Sequence, residues 1–208
     1  MPHGKSKNSK AIVDAAIRLF RANGYERVSV NDICAEAGVS RSTFYLNFSG
    51  KRQIIDSFIA GARLDREQFF GDFVAASNDF ERMWILCCRY LTVATEFGPE
   101  LVATLFSLEL AGELDILDLT HQVDEWMIQL CRNAQNSGII LSPEPAEVIA
   151  PLSVSTAYYT TYEWAKRKGS FDLRRMTRVR AESVLNVAQQ YRMSEDELNA
   201  LSSPLNFT

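Results

Sequence analysis

The chain has 208 residues, of which 47% are hydrophobic and 23% charged, with a formal net charge of −4. Those values fit a globular protein of one or two domains with a real core. No apolar run reaches the roughly 18 residues of a membrane span. The N-terminal "MPHGKSKNSK" is polar and basic and lacks the apolar region of a secretory signal, so a cytoplasmic location is expected. The four cysteines (34, 87, 88 and 131) show no CxxC spacing, which fits a reducing compartment.

The net charge hides an asymmetry. Residues 1–52 carry nine Lys/Arg against four Asp/Glu, a balance of +5, while the remainder carries 13 against 22, a balance of −9. A basic quarter on an acidic remainder either marks the end that meets a polyanion or is a chance fluctuation of surface charge.

Helical periodicity dominates in chain order. Ile12, Ala15, Ala16, Leu19 and Phe20 form one apolar stripe on a helix over 9–21. Gly24 suits its left-handed end. Ser29 and Asp32 have capping-box spacing before a short helix to about Ala37. Gly38 breaks that helix, and Ser40 caps the next, which runs to about Asn47. A long helix is expected from Lys51 into the Phe69–Phe73 region. Further helices are expected over 80–97, 99–111, 118–137, 144–168 and 172–192. Pro143 and Pro145 suit a first turn, whereas Pro151 should kink or delay its helix. The tail from Met193 is polar and should fray. The expectation is an all-α protein of about nine helices. It divides into a basic N-terminal unit (1–52), a larger helical unit (53–192) and a polar tail (193–208).

Residues 29–48 read as helix, tight turn, helix. Gly38 supplies the left-handed turn residue, and Ile33, Val39 and Phe44 plug the angle between the helices. Cys34 lies where the two pass closest, which requires a small side chain. The second helix, "SRSTFYLNF", exposes hydrogen-bonding groups of a kind that can enter a major groove about 12 Å wide. Arg41 can fork onto guanine or grip a phosphate. Ser42 and Thr43 are short enough for close backbone approach, and the Thr43 methyl can touch thymine. Tyr45 can donate to a phosphate or be partly core. Asn47 can reach a phosphate, or adenine, or simply close the helix. Lys51 opens a helix whose N-terminal amides can take a phosphate. Tyr25, Ser29 and Ser40 edge the same surface, although the two serines are also caps. Lys5, Lys7 and Lys10 form a basic arm.

These motifs carry a resemblance. "AA-x-x-LF-x-x-x-GY" from Ala15, "S-V-x-D-I" from Ser29, "AGVS" at 37–40, "T-F-Y-x-x-F" from Thr43 and the following Lys51 fall at the spacing of one family. Residues 8–52 resemble the DNA-binding domain of the tetracycline-repressor (TetR) family of transcriptional regulators. Ser42 stands where Gly is frequent, Leu46-Asn47 where an aromatic–His pair is frequent, and Gly50 where Ser or Asp is common. The resemblance implies a regulator, most often a repressor, that binds a palindromic double-stranded operator as a homodimer and is released by a small-molecule effector. An activator, or a regulator answering a protein or redox signal, is the alternative.

The resemblance also implies dimerisation through the last two long helices. "EVIAPLSVSTAYYTTYEWA" at 147–165 is low in charge, and Val179, Val184, Leu185, Val187 and Ala188 give 178–191 an apolar face. Both faces suit either a four-helix bundle between two chains or an internal core. Trp84, Cys88, Leu91, Phe106, Leu110, Trp126, Leu130, Tyr158 and Tyr162 lie on apolar or low-charge faces of the middle helices. They are candidates for lining an effector pocket or for plain core. A redox role for Cys87, Cys88 or Cys131 and a metal site with His121 have no supporting spacing. No cofactor is expected, and the absence of a Gly-rich phosphate loop, a GxSxG or a His/Asp pair speaks against an enzyme.

Overall fold

The computed structural model describes residues 7–62, 66–113 and 121–201. The elements are α1 (Lys7–Asn23), α2 (Val30–Ala37), α3 (Arg41–Asn47), α4 (Lys51–Ala62), α5 (Arg66–Ala75), α6 (Asp79–Phe97), α7 (Pro99–Leu110), α8 (His121–Asn136), α9 (Ala146–Lys166), α10 (Leu173–Val184) and α11 (Glu195–Ala200), with a 3-10 turn at Gln189–Tyr191. Among the described residues there is no strand, only an isolated bridge between Ile140 and Val187. The fold is therefore all-α, with eleven α-helices among the described residues against about nine expected. One extra helix arises because the stretch from Lys51 is described as α4 and α5, with residues 63–65 between them outside the described residues. The other is α11.

The N-terminal helices form where the local signals place them. Ile12, Ala15, Ala16 and Phe20 are buried along α1. Ser29 starts α2 with a full capping box: its Oγ accepts from the Asp32 amide (3.2 Å), and its own amide donates to the Asp32 carboxylate (2.8 Å). Gly38 has φ 65°, and the amide of Val39 reaches back to the Cys34 carbonyl at 3.0 Å. That six-to-one bond closes α2 and turns the chain into α3. Ile33 and Phe44 are fully buried, Cys34 nearly so, and Val39 packs partly against them. This core runs on into that of the larger helical body, where Phe58 of α4 stacks against Phe97 of α6 with centroids 4.9 Å apart.

In the larger body, α9 packs on α7, α8 and α10, and α6 lies against α8 and α10. Its charged centre is Arg178, whose side chain is fully buried. The guanidinium donates to both carboxylate oxygens of Glu81 (3.0 and 2.5 Å) and to Glu182 (2.6 Å). It also lies over the rings of Phe80 (4.4 Å) and Trp84 (5.3 Å). Burial alone would ease the proton off this group, but the two carboxylates outweigh it and raise its affinity for the proton. The network ties α10 to α6, and Glu182 also accepts the Met193 amide at 3.0 Å, which docks the chain beyond α10.

Three expectations need correction. The last long helix does not run to 192 but stops at Val184, where Asn186 takes a left-handed φ of 49° and the Val187 amide bonds the Glu182 carbonyl at 2.9 Å. Asn tolerates that conformation, so a Schellman end forms without a glycine. Leu185, Val187 and Ala188 consequently turn into the core rather than extending an outer face. The tail does not simply fray, because Ser194 and Glu197 build a second capping box that starts α11, and Leu198 is buried. Pro151 does not delay α9, which runs from Ala146 through it to Lys166. The proline forfeits one bond, to the exposed Glu147, whose carbonyl can turn to water.

Candidate nucleic-acid interface

Phe44 and Phe48 face inward from α3 and its C-cap, with exposures of 0% and 4%. The opposite side of that helix is open. Arg41, Ser42, Tyr45 and Leu46 are exposed, and Thr43 and Asn47 are half-buried. Arg41 lies 5.9 Å from the Tyr45 ring, which is edge-on to Phe44 at 5.3 Å. Tyr45 is therefore buttressed by the core yet half exposed, which holds its hydroxyl outward.

Several expected contact residues already have partners within the fold. The Ser40 hydroxyl accepts from the Thr43 amide (3.1 Å) and shares hydrogen bonds with the Ser42 (2.8 Å) and Thr43 (2.9 Å) hydroxyls. Asn47 donates to the Thr43 carbonyl at 2.8 Å. The Ser29 hydroxyl donates to Asp32 at 2.6 Å. That hydrogen bond and the one from the Ser29 amide hold the Asp32 carboxyl below its usual range. Lys51 donates to the Tyr25 carbonyl (2.7 Å) and lies 4.3 Å from the Tyr25 ring. Tyr25 is buried, and its hydroxyl is pushed up first by that burial and then by Glu26. Lys51 and Tyr25 thus lock the start of α4 to the turn after α1. Lys7 and Lys10 lie on α1, while Lys5 lies outside the described residues. Leu46, 86% exposed, was not among the expected contact residues. Its signal lay in the helix phase, two residues from both buried phenylalanines.

The nine residues expected around an effector separate into distinct places. Trp84, Leu91, Phe106 and Leu130 are buried, and Cys88 is partly buried against them. Phe106 meets Tyr158 and Tyr162 edge-on at 4.9 and 5.5 Å. Tyr158 donates to the Glu109 carboxylate, which, with burial as the larger cause, drives its own ionisation to high pH. Two placements need correction. Leu110 is the last residue of α7 and 84% exposed, because its helix ends there. Trp126 is 55% exposed, with its ring 6.1 Å from that of Phe73.

An open groove of about 540 Å³ lies instead between α9 and α10, lined by Leu152, Thr156, Tyr159, Val179, Arg180 and Val184, among others. None of the nine residues lines it. Burial pushes the Cys87 thiol up to about 12 and those of Cys88 and Cys131 to about 11, which leaves them poor nucleophiles. Among the described residues no helix is long and apolar enough to cross a membrane.

A capped helix, a glycine turn and a second helix offering polar groups define a helix-turn-helix DNA-binding unit, here joined to a larger helical body. Residues 12–58 match the family model for bacterial regulatory proteins of the tetR family. The chain is 25% identical over 180 residues to the HTH-type transcriptional repressor BepR of Brucella suis, spanning 81% of this chain and 85% of that one. It is 28% identical over 168 residues to the HTH-type transcriptional regulator RutR of Escherichia coli, 76% of each chain. A similarity of 38% to the regulator YvdT of Bacillus subtilis is confined to 55 residues, 28% of that protein. The fold matches that of the fatty acid degradation regulator FadR from Bacillus halodurans with a TM-score of 0.67 at 20% identity, covering 88% of this chain and 96% of that one. FadR from Bacillus subtilis, solved in complex with stearoyl-CoA, matches at 0.61 and 22% identity over 85% and 97%. Residues 12–58 thus carry a tetR-family DNA-binding unit, and over most of its length the chain is similar to HTH-type transcriptional regulators.

Proposed function

We propose that the protein is a cytoplasmic repressor that reads a palindromic operator as a homodimer and is released by a small-molecule effector. The outward face of α3 carries this reading: Arg41, Ser42, Thr43 and Tyr45 stand opposite the buried Phe44 and Phe48. Residues 1–52 form the DNA-binding unit, and 53–192 the ligand-binding and dimerisation body. Arg41 would grip guanine or phosphate, and Tyr45 a phosphate. Lys51 and Tyr25 would hold α3 at its angle. Phosphate contacts supply affinity, and base contacts supply selectivity.

The apolar groove between α9 and α10 supports pairing with a second chain through those helices, which would set two α3 helices in successive major grooves roughly 34 Å apart. The aromatic cluster of Phe106, Tyr158 and Tyr162, with its polar tips, favours an amphipathic or aromatic effector. The buried, hard-to-ionise thiols weigh against a redox signal. Arg41→Ala and Tyr45→Ala, measured by fluorescence anisotropy on a duplex selected from a random pool by the wild-type protein, should each weaken binding about ten-fold or more, as the loss of one good contact does. Normal binding by both folded variants would refute these contact assignments.

A further inference from the structure

Leu46 is the most exposed large apolar side chain among the described residues, at 86%. Successive helix positions turn by about 100°, so Leu46 lies about 200° from both Phe44 and Phe48 and points almost straight away from the core. Ser42 and Thr43, one turn earlier, share its strip. Their hydroxyls are both engaged by Ser40. Arg41, the sole charged residue of α3, stands to one side beside Tyr45. The outermost strip of the helix thus consists of two short hydroxyl residues and one long apolar residue.

We infer that Leu46 is a specificity-determining residue that takes the 5-methyl group of a thymine in the major groove. The inference rests on the proposed role of α3 in reading DNA. Leucine has no hydrogen-bonding group, so on that strip it selects only through apolar contact. The thymine methyl is the apolar group that base pairs present in the major groove. Short side chains at Ser42 and Thr43 let the backbone approach, which brings the longer Leu46 to the bases first. A protein partner is the poorer occupant, because a lone leucine among hydroxyls makes no apolar patch.

The test starts from a symmetric duplex selected from a random pool by the wild-type protein. Thymines are exchanged for deoxyuracil one symmetric pair at a time, which removes the methyl and leaves every hydrogen-bonding edge intact. A buried methyl is worth about 0.8 kcal/mol, so one pair of exchanges should weaken the wild type by about 15-fold across two half-sites. Leu46→Ala should be indifferent to that same pair, and should keep its affinity for random DNA and the salt dependence of that affinity. Leu46→Met should restore the sensitivity. A wild type insensitive to every exchange, or an alanine variant that loses as much as the wild type at the sensitive pair, would overturn the assignment while leaving DNA reading intact. A wild type with no preference for any selected duplex would overturn both.

Discussion

Replacing Arg178 by methionine tests whether the buried network is what locks α10 to α6. The substitution keeps an apolar stem of similar length and removes the guanidinium. Glu182, 4% exposed, is then left with only the Met193 amide as a partner. Glu81 has a side chain 24% exposed and can rehydrate, so its loss is smaller. Removing one partner of a buried ion pair costs about 3–5 kcal/mol, most of it from the stranded charge. In a chain of this size each kcal/mol moves the midpoint by about 2–4 °C, so a fall of about 10 °C is expected. The assay is thermal and urea unfolding followed by circular dichroism. Arg178→Met combined with Glu182→Gln should recover part of the loss, because the stranded carboxylate is gone. A single variant that loses less than about 1 kcal/mol, or a double variant no better than the single, would refute this reasoning.

Two further outcomes follow from local geometry. A Cβ at Gly38 would meet nothing within 4 Å, so Gly38→Ala should cost only the left-handed backbone penalty of about 1–2 kcal/mol, with Gly38→Asn milder, as urea midpoints would show. The thiols of Cys88 and Cys131, raised to about 11, should be ionised in only about one molecule in a thousand at pH 8, against about a quarter for an ordinary thiol. Alkylation of the native protein should therefore be slow at pH 8, quicken as pH rises toward those values, and become fast on unfolding. Rapid native labelling of either residue by iodoacetamide, located by peptide mass, would contradict that.

The N-terminal unit was almost wholly legible in the sequence because its signals are local. Ser29 with Asp32 fixes the start of α2, Gly38 its end, and the spacing of Phe44 and Phe48 the inner side of α3. The larger body was legible in its helices but not in their ends. Val187 and Ala188 continue an apolar helical pattern, yet Asn186 turns the chain back, and a bond from Ala188 to Ile139 (2.9 Å) fastens it to the segment after α8. Periodicity cannot distinguish an apolar residue on an outer face from one folded into the core by such a turn. The ion network was equally hidden, because Arg178 and Glu81 stand 97 residues apart. Leu46 was overlooked for another reason: its lack of polar atoms made it look like a filler residue, although its phase already placed it outermost.

The most direct test of the central claim is the affinity of the purified protein for its selected duplex relative to random DNA of equal length, at about 0.15 M salt where phosphate attraction is screened. A regulator that reads bases should prefer the selected duplex by about a thousand-fold or more. Equal affinity for both, falling steeply with salt, would describe a nonspecific polyanion binder and contradict the account.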